Sequence, residues 1–231
     1  MGLDDSLGEK LRRREALITL GGLGAGGLLV AARGPLGLVR AETADAASTC
    51  VLTPEVTEGP YWIANGLTRR DITSGQTGIP LLLYLTVEDS STCEPISGAD
   101  VELWHANRLG AYSGVNGNSQ RYLRGHQKSN SKGLVIFKTV YPGWYRGRTP
   151  HIHVKVHVGG SVVHTGQLFF ADTVSSAVYR TSRYRSRGQA DTKNAADSIY
   201  ADAGRGRSKL RLTKRSGSQG YLGTMTMIVQ S

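Results

Sequence analysis

Four side chains in this chain have the types and placement for metal chemistry: Tyr112, Tyr145, His151 and His153. The two histidines open a stretch over 151–158 in which Ile152, Val154, Val156 and Val158 alternate with His151, His153, Lys155 and His157. That period of two belongs to a strand with one apolar face. Residues two apart on a strand project from the same face, so both imidazoles can aim their ring nitrogens at one point while Ile152 turns to the core. Taken alone, a His-x-His pair on a strand is more often structural than catalytic. The tyrosines change the reading. Tyr112 sits in the turn Gly110-Ala111-Tyr112-Ser113-Gly114, and Tyr145 in Pro142-Gly143-Trp144-Tyr145. A tyrosinate is a hard, anionic oxygen ligand, better matched to ferric iron than to copper(I) or to a thiolate-type zinc site. Free phenols titrate near pH ~10, so only a strongly charged cation would hold them deprotonated at neutral pH.

These residues need a rigid frame, and the sequence predicts strands over 81–87, 101–104, 134–140, 151–158, 162–170 and 221–229. Residues 47–80 read as an irregular arm rich in turn formers, and 190–198 as a short helix or a loop. The chain has 30 glycines and no long helical periodicity. Many short strands between Gly and Pro turns imply an all-β fold, an antiparallel β-sandwich with long irregular loops. No internal repeat and no linker divides residues 47–231, which are expected to form one domain.

Residues 1–46 have the marks of an export signal, with a disordered N-terminal arm as the alternative reading. Arg12, Arg13 and Arg14 precede a glycine-diluted apolar run over 16–32, and small residues offer cleavage sites at Val39-Arg40-Ala41 or Ala44-Asp45-Ala46. The run is too short and too dilute for a stable membrane span. Arg13-Arg14 resembles the twin-arginine signal, a route that carries folded proteins. The expected location is therefore extracellular or at the cell surface. The net charge is +10, and residues 1–46 contribute six basic and six acidic side chains, so the excess belongs to the remainder. Much of it lies in 180–187 and 205–215. Apart from Tyr179 and Tyr184 these runs lack interleaved stacking aromatics, which argues against nucleic acid and for a solvated surface or attraction to an anionic substrate or polymer. Cys50 and Cys93 are the two cysteines. In an exported protein an even pair reads as one disulfide, with two free thiols as the alternative.

The string from Pro142 to His153, PGWYRGRTPHIH, resembles the iron-binding motif of the intradiol ring-cleavage dioxygenases, which act on catechols, hydroxyquinol and protocatechuate. Val101-Glu102-Leu103-Trp104-His105-Ala106-Asn107, the Tyr112 turn, Thr57-Glu58-Gly59-Pro60-Tyr61 and Thr165-Gly166-Gln167-Leu168-Phe169 resemble the same family in the same order. The likeness covers roughly 50–175. Asn107 departs from it, standing where an acidic residue is expected. The resemblance implies an Fe(3+) cofactor held by Tyr112, Tyr145, His151 and His153, with Tyr145 as the ligand that substrate displaces. It implies that Arg148 and Gln167 act on the bound ring, and that catechol-type diols are cleaved by dioxygen to muconate-type diacids. Tyr61 and Trp144 are candidate pocket walls, with a core or staple role as the alternative. The chain resembles exported single-domain members and is expected to be a monomer or weak oligomer. Two rival readings are a cupin-like metal site, which would need a carboxylate beside His151 and His153, and an exported sandwich-fold binding module without catalysis.

Overall fold

In β1 (Pro80–Asp89) every second side chain is large and apolar, and Leu81, Leu83, Leu85 and Val87 are each at most 1% exposed. A strand so patterned must lay one face on another layer. In a computed structural model, which describes residues 50–64, 66–217 and 220–231, that layer is a second sheet. The expected export signal lies outside the described residues.

Along the chain follow β2 (Asp100–Trp104), β3 (Arg124–Lys128), β4 (Leu134–Val140), β5 (His151–Val158), β6 (Ser161–Phe169), α1 (Asp172–Tyr179), α2 (Ser198–Asp202), β7 (Arg211–Lys214) and β8 (Tyr221–Val229). One sheet has the order β4-β1-β8-β7 and the other β3-β2-β5-β6. Val101, Leu103, Ile152, Val154 and Val156 of the second sheet meet the β1 leucines in one core. Truncating any of these leucines to alanine would cost about 2–5 kcal/mol. The sandwich is as expected, with one departure from antiparallel pairing: β1 and β8 run parallel, from Leu81 opposite Tyr221 to Asp89 opposite Val229. Parallel neighbours need a long crossover. Here the whole chain between β1 and β8, second sheet included, is that crossover.

The odd-numbered residues of β5 point away from the core, yet His151, His153 and Lys155 are buried. The irregular arm covers them. Thr53 N donates to Ile228 O and Val56 N to Thr165 O. Thr165 N donates to Glu55 Oε1 at 2.9 Å, Glu58 pairs with Lys155, and Trp62 Nε1 donates to Glu102 Oε2 at 3.1 Å. The arm begins at Cys50, which is joined to Cys93 in the turn after β1, with the two Cα atoms 5.7 Å apart. Among the described residues no helix is long and apolar enough to cross a membrane.

Candidate metal centre

Register places the first half of the site. His153 stands opposite Trp104 on β2 and Gln167 on β6, and His151 opposite Phe169. The indole of Trp104 stacks on the His153 ring, 4.9 Å between centroids and 8° from parallel. Each imidazole is thus walled by side chains whose own positions are set by ladder hydrogen bonds.

Two loops deliver the tyrosines. The Tyr112 loop leaves β2 and is folded on Asn107, whose Oδ1 accepts from Leu109 N at 3.0 Å and from Ala111 N at 3.1 Å. The residue that departs from the family pattern thus supplies the acceptor oxygen a carboxylate would, and its Nδ2 also donates to Tyr122 Oη. Buried Arg124 fixes the far side of the loop through Ser113 O, 2.6 Å from Nη2. The Tyr145 loop follows β4. Tyr179 Oη donates to Pro142 O at 3.0 Å, and Tyr184 Oη to Tyr141 O at 2.6 Å.

Four donor atoms converge. Tyr145 Oη lies 3.0 Å from His151 Nε2. His151 Nε2 lies 3.1 Å from His153 Nε2, which lies 3.1 Å from Tyr112 Oη. His151 Nδ1 donates to Thr149 O at 2.7 Å, which leaves its Nε2 as a bare lone pair aimed into the cluster. Burial, then the Arg148 charge, pushes the His151 pKa down to about 3. Burial, then His151, pushes His153 well below the usual histidine value. Both rings are therefore neutral at physiological pH. Burial, then the adjacent Tyr145, raises Tyr112 well above the usual phenol value. Burial raises Tyr145 too, against the pull of Arg148. Two neutral imidazoles facing each other nitrogen to nitrogen, with two phenol oxygens beside them, are crowded lone pairs in a low-dielectric pocket. A cation at their centre would turn that crowding into coordination, and the two phenols would supply the negative charge that ferric iron requires. The donor set fits the ion. Gly59 of the arm, at φ +73°, comes so close that a Cβ there would lie 3.2 Å from His153 Cε1. Among the described residues no three or more His, Cys, Asp or Glu side chains are grouped to hold a metal. The carboxylate that a cupin-like site would need is thus not beside His151 and His153.

Arg148 and Gln167 lie at the edge of this cluster as one unit. Arg148 Nη2 donates to Gln167 Oε1 at 2.6 Å, and Gln167 Nε2 donates to Thr57 O at 3.0 Å. The glutamine amide thus holds the guanidinium and is itself held by the arm. Arg148 Nε donates to Asp197 Oδ2 at 2.9 Å. Asp197 also accepts from Thr149 N at 2.8 Å and caps α2 through Ile199 N and Tyr200 N. Burial pushes this carboxyl up, but the Thr149 hydrogen bond and the Arg148 charge outweigh it and hold the pKa below the usual aspartate value. Sequence reasoning missed Asp197. Its signal was a helix N-cap, Asp ahead of Ser198-Ile199-Tyr200.

Of the two candidate walls, Tyr61 stacks on Tyr112 with centroids 4.4 Å apart. Trp144 packs against the main core, with the Arg187 guanidinium over its ring. His105, which carried no expected ligand role, bonds Thr139 Oγ1 and Ala106 O in the interior.

A β-sandwich with a mixed tyrosine–histidine centre on the outer face of one sheet defines a narrow class of proteins. Residues 57–196 match the family model described as Dioxygenase (Dioxygenase_C). The intradiol ring-cleavage dioxygenase from Tetranychus urticae has 35% identity and a TM-score of 0.74 over 78% of this chain and 95% of its own. The dioxygenase domain of a dioxygenase–carbohydrate-binding protein fusion from Streptomyces sp. SirexAA-E has 28% identity and a TM-score of 0.58 over 78% of this chain and 99% of its own. Catechol 1,2-dioxygenase 1 of Acinetobacter lwoffii is 35% identical over 101 residues, 40% of this chain and 32% of that protein. The chain thus matches about a third of the length of that curated relative. It belongs to the intradiol ring-cleavage dioxygenase family.

Proposed function

We propose that the protein is a ferric-iron dioxygenase that opens catechol-type rings between the two hydroxyl-bearing carbons, placing both atoms of dioxygen in a muconate-type diacid. The observation that carries this reading is the convergence of Tyr112, Tyr145, His151 and His153 beside the Arg148 guanidinium. When bound, ferric iron supplies Lewis acidity and the electronic route by which a catechol reacts with dioxygen.

The chain's own part is positioning, proton handling and charge. Tyr112 is 6% exposed and lies under Tyr61, so it is the tyrosine that stays. Tyr145 is only half-buried and is the one that can swing out. Held as a tyrosinate by bound iron, its Oη could take a proton from a catechol hydroxyl, two groups of similar intrinsic acidity. Arg148 brings a permanent positive charge to the ring as negative charge develops on it, with Asp197 and Gln167 setting its direction. The arm, through Gly59 and Tyr61, closes the cluster on one side. Export by the twin-arginine route is part of this proposal, motivated by Arg13-Arg14 and by the Cys50–Cys93 bridge of the domain.

A metal assay with a visible spectrum on protein as isolated tests the reading. One iron per chain and a red-brown tyrosinate-to-iron band are expected. Active protein with stoichiometric zinc or copper and no iron would refute it.

A further inference from the structure

The arginine run after α1 has no part in the site as described above. Between 173 and 190 the chain has four arginines and no acidic side chain, so composition alone reads it as a charged surface. Arg187 does not fit that description. Arg185 is exposed, whereas Arg187 is half-buried. Its Nη1 donates to Leu109 O and its Nη2 to Trp144 O at 3.1 Å. The guanidinium lies 4.6 Å from the centre of the Trp144 ring. Leu109 is three residues before Tyr112, and Trp144 is next to Tyr145. One planar group therefore ties together the two loops that each carry a tyrosine donor.

The two loops also touch directly, backbone to backbone. Gly143 N donates to Asn107 O at 3.1 Å. A Cβ on Gly143 would run into the backbone of Asn107 and Arg108, and one on Gly110 into Trp144 O. Leu109 O and Trp144 O both accept from the one guanidinium, and a two-pronged guanidinium suits two carbonyls better than the single charge of a lysine. Nε of Arg187 is buried and makes no hydrogen bond, so the group is held by its Nη contacts and the indole.

We propose that Arg187 is a positioning residue that sets the separation of Tyr112 and Tyr145 across the metal centre, acting through the backbone of both loops. This rests on the iron-site reading above. The tyrosine rings are 5.8 Å apart between centroids. Metal–ligand distances tolerate errors of only about 0.2 Å, so slack between the loops falls directly on the metal.

The test compares wild-type protein, Arg187→Ala, Arg187→Lys and Arg185→Ala in the full chain. Iron affinity is read by chelator competition, tyrosinate coordination by the visible band, and kcat and KM on catechol per bound iron. Arg187→Ala is expected to lose about tenfold in iron affinity or kcat, the lower end for a group supporting metal ligands, with a shifted band and little change in KM. Arg187→Lys should recover part of the loss, added methylguanidinium should recover part of it in Arg187→Ala, and Arg185→Ala should match wild type. Where Arg187→Ala does not accumulate folded, Arg187→Lys carries the comparison through its own partial loss. Iron-loaded Arg187 variants with wild-type affinity, band and kcat would overturn this proposal alone. Equal, salt-dependent losses in Arg185→Ala and Arg187→Ala would overturn it in favour of a charge patch. Wild-type protein that takes up no iron would overturn the metal-centre reading and this proposal with it.

Discussion

Asp197→Asn probes the site through a residue that touches no metal donor. The native carboxylate accepts from four groups: Arg148 Nε, Thr149 N, Ile199 N and Tyr200 N. Its side chain is 1% exposed and that of Arg148 17%, so solvent screens the pair little. Removing one partner of a buried pair costs about 3–5 kcal/mol, and losing an N-cap about 0.5–2 kcal/mol. Asparagine keeps an oxygen for the α2 cap, so the cap loss should be small. Its amide nitrogen would then face Arg148 Nε and Thr149 N, donor against donor. The guanidinium must turn, and a misplacement of about 1 Å at a reacting centre costs on the order of 100-fold in rate. The tyrosine and histidine donors are untouched, so iron should be retained. Denaturant melts should show a loss of about 2–4 kcal/mol, below the full buried-pair cost because Arg148 gains some solvent on turning. The folded pKa of Asp197 lies below its unfolded value, so its stabilisation is present above about pH 4 and is lost as pH falls through the folded pKa. The variant should therefore have a flatter acid limb in its stability profile. Steady-state kcat per iron for Asp197→Asn, Arg148→Ala and the double variant then separates the possibilities. If Asp197 acts through Arg148, the double variant is no slower than Arg148→Ala. Wild-type turnover in Asp197→Asn, or fully additive losses in the double variant, would refute the reasoning.

Two further outcomes are expected. Reducing or deleting the Cys50–Cys93 bridge, which spans 43 residues, should cost about 4 kcal/mol in the chain-entropy picture. Because the arm from Cys50 reaches Thr57 and Gly59, iron affinity should fall along with the melting temperature; chelator competition with and without reductant reads this. The two tyrosines should respond differently. Tyr145→Phe should retain iron and form the catechol complex slowly, while Tyr112→Phe should alter the charge-transfer band with and without substrate. Anaerobic titration followed by visible and Raman spectra distinguishes them.

The sandwich and the donor cluster were legible because each leaves a local trace. β5 shows its two faces in strict alternation, and the glycine turns mark where Tyr112 and Tyr145 sit. β3 left none: Arg124-Gly125-His126-Gln127-Lys128 has no apolar alternation, and it is a strand through its ladder to β2 and a bridge to Thr68. The parallel pairing of β1 with β8 joins segments about 140 residues apart, beyond any local pattern. α1 is only eight residues long, too short to establish a helical period, and was not anticipated as a helix. The partners of the site were hidden for the same reason. Asp197 reaches Arg148 from 49 residues away, and Arg187 reaches Trp144 from 43. Trp144 could be read from the sequence either as a pocket wall or as a core residue, and its packing against the main core under Arg187 favours the second.

Turnover of catechol under isotopically labelled dioxygen shows where the ring opens. Purified iron-loaded protein is given catechol and 18O2, and the product is analysed by mass spectrometry. A muconate-type diacid with both labelled atoms, one in each carboxyl group, is the predicted result. A semialdehyde product, cleaved outside the diol, or iron-loaded protein with no ring-opened product would contradict it.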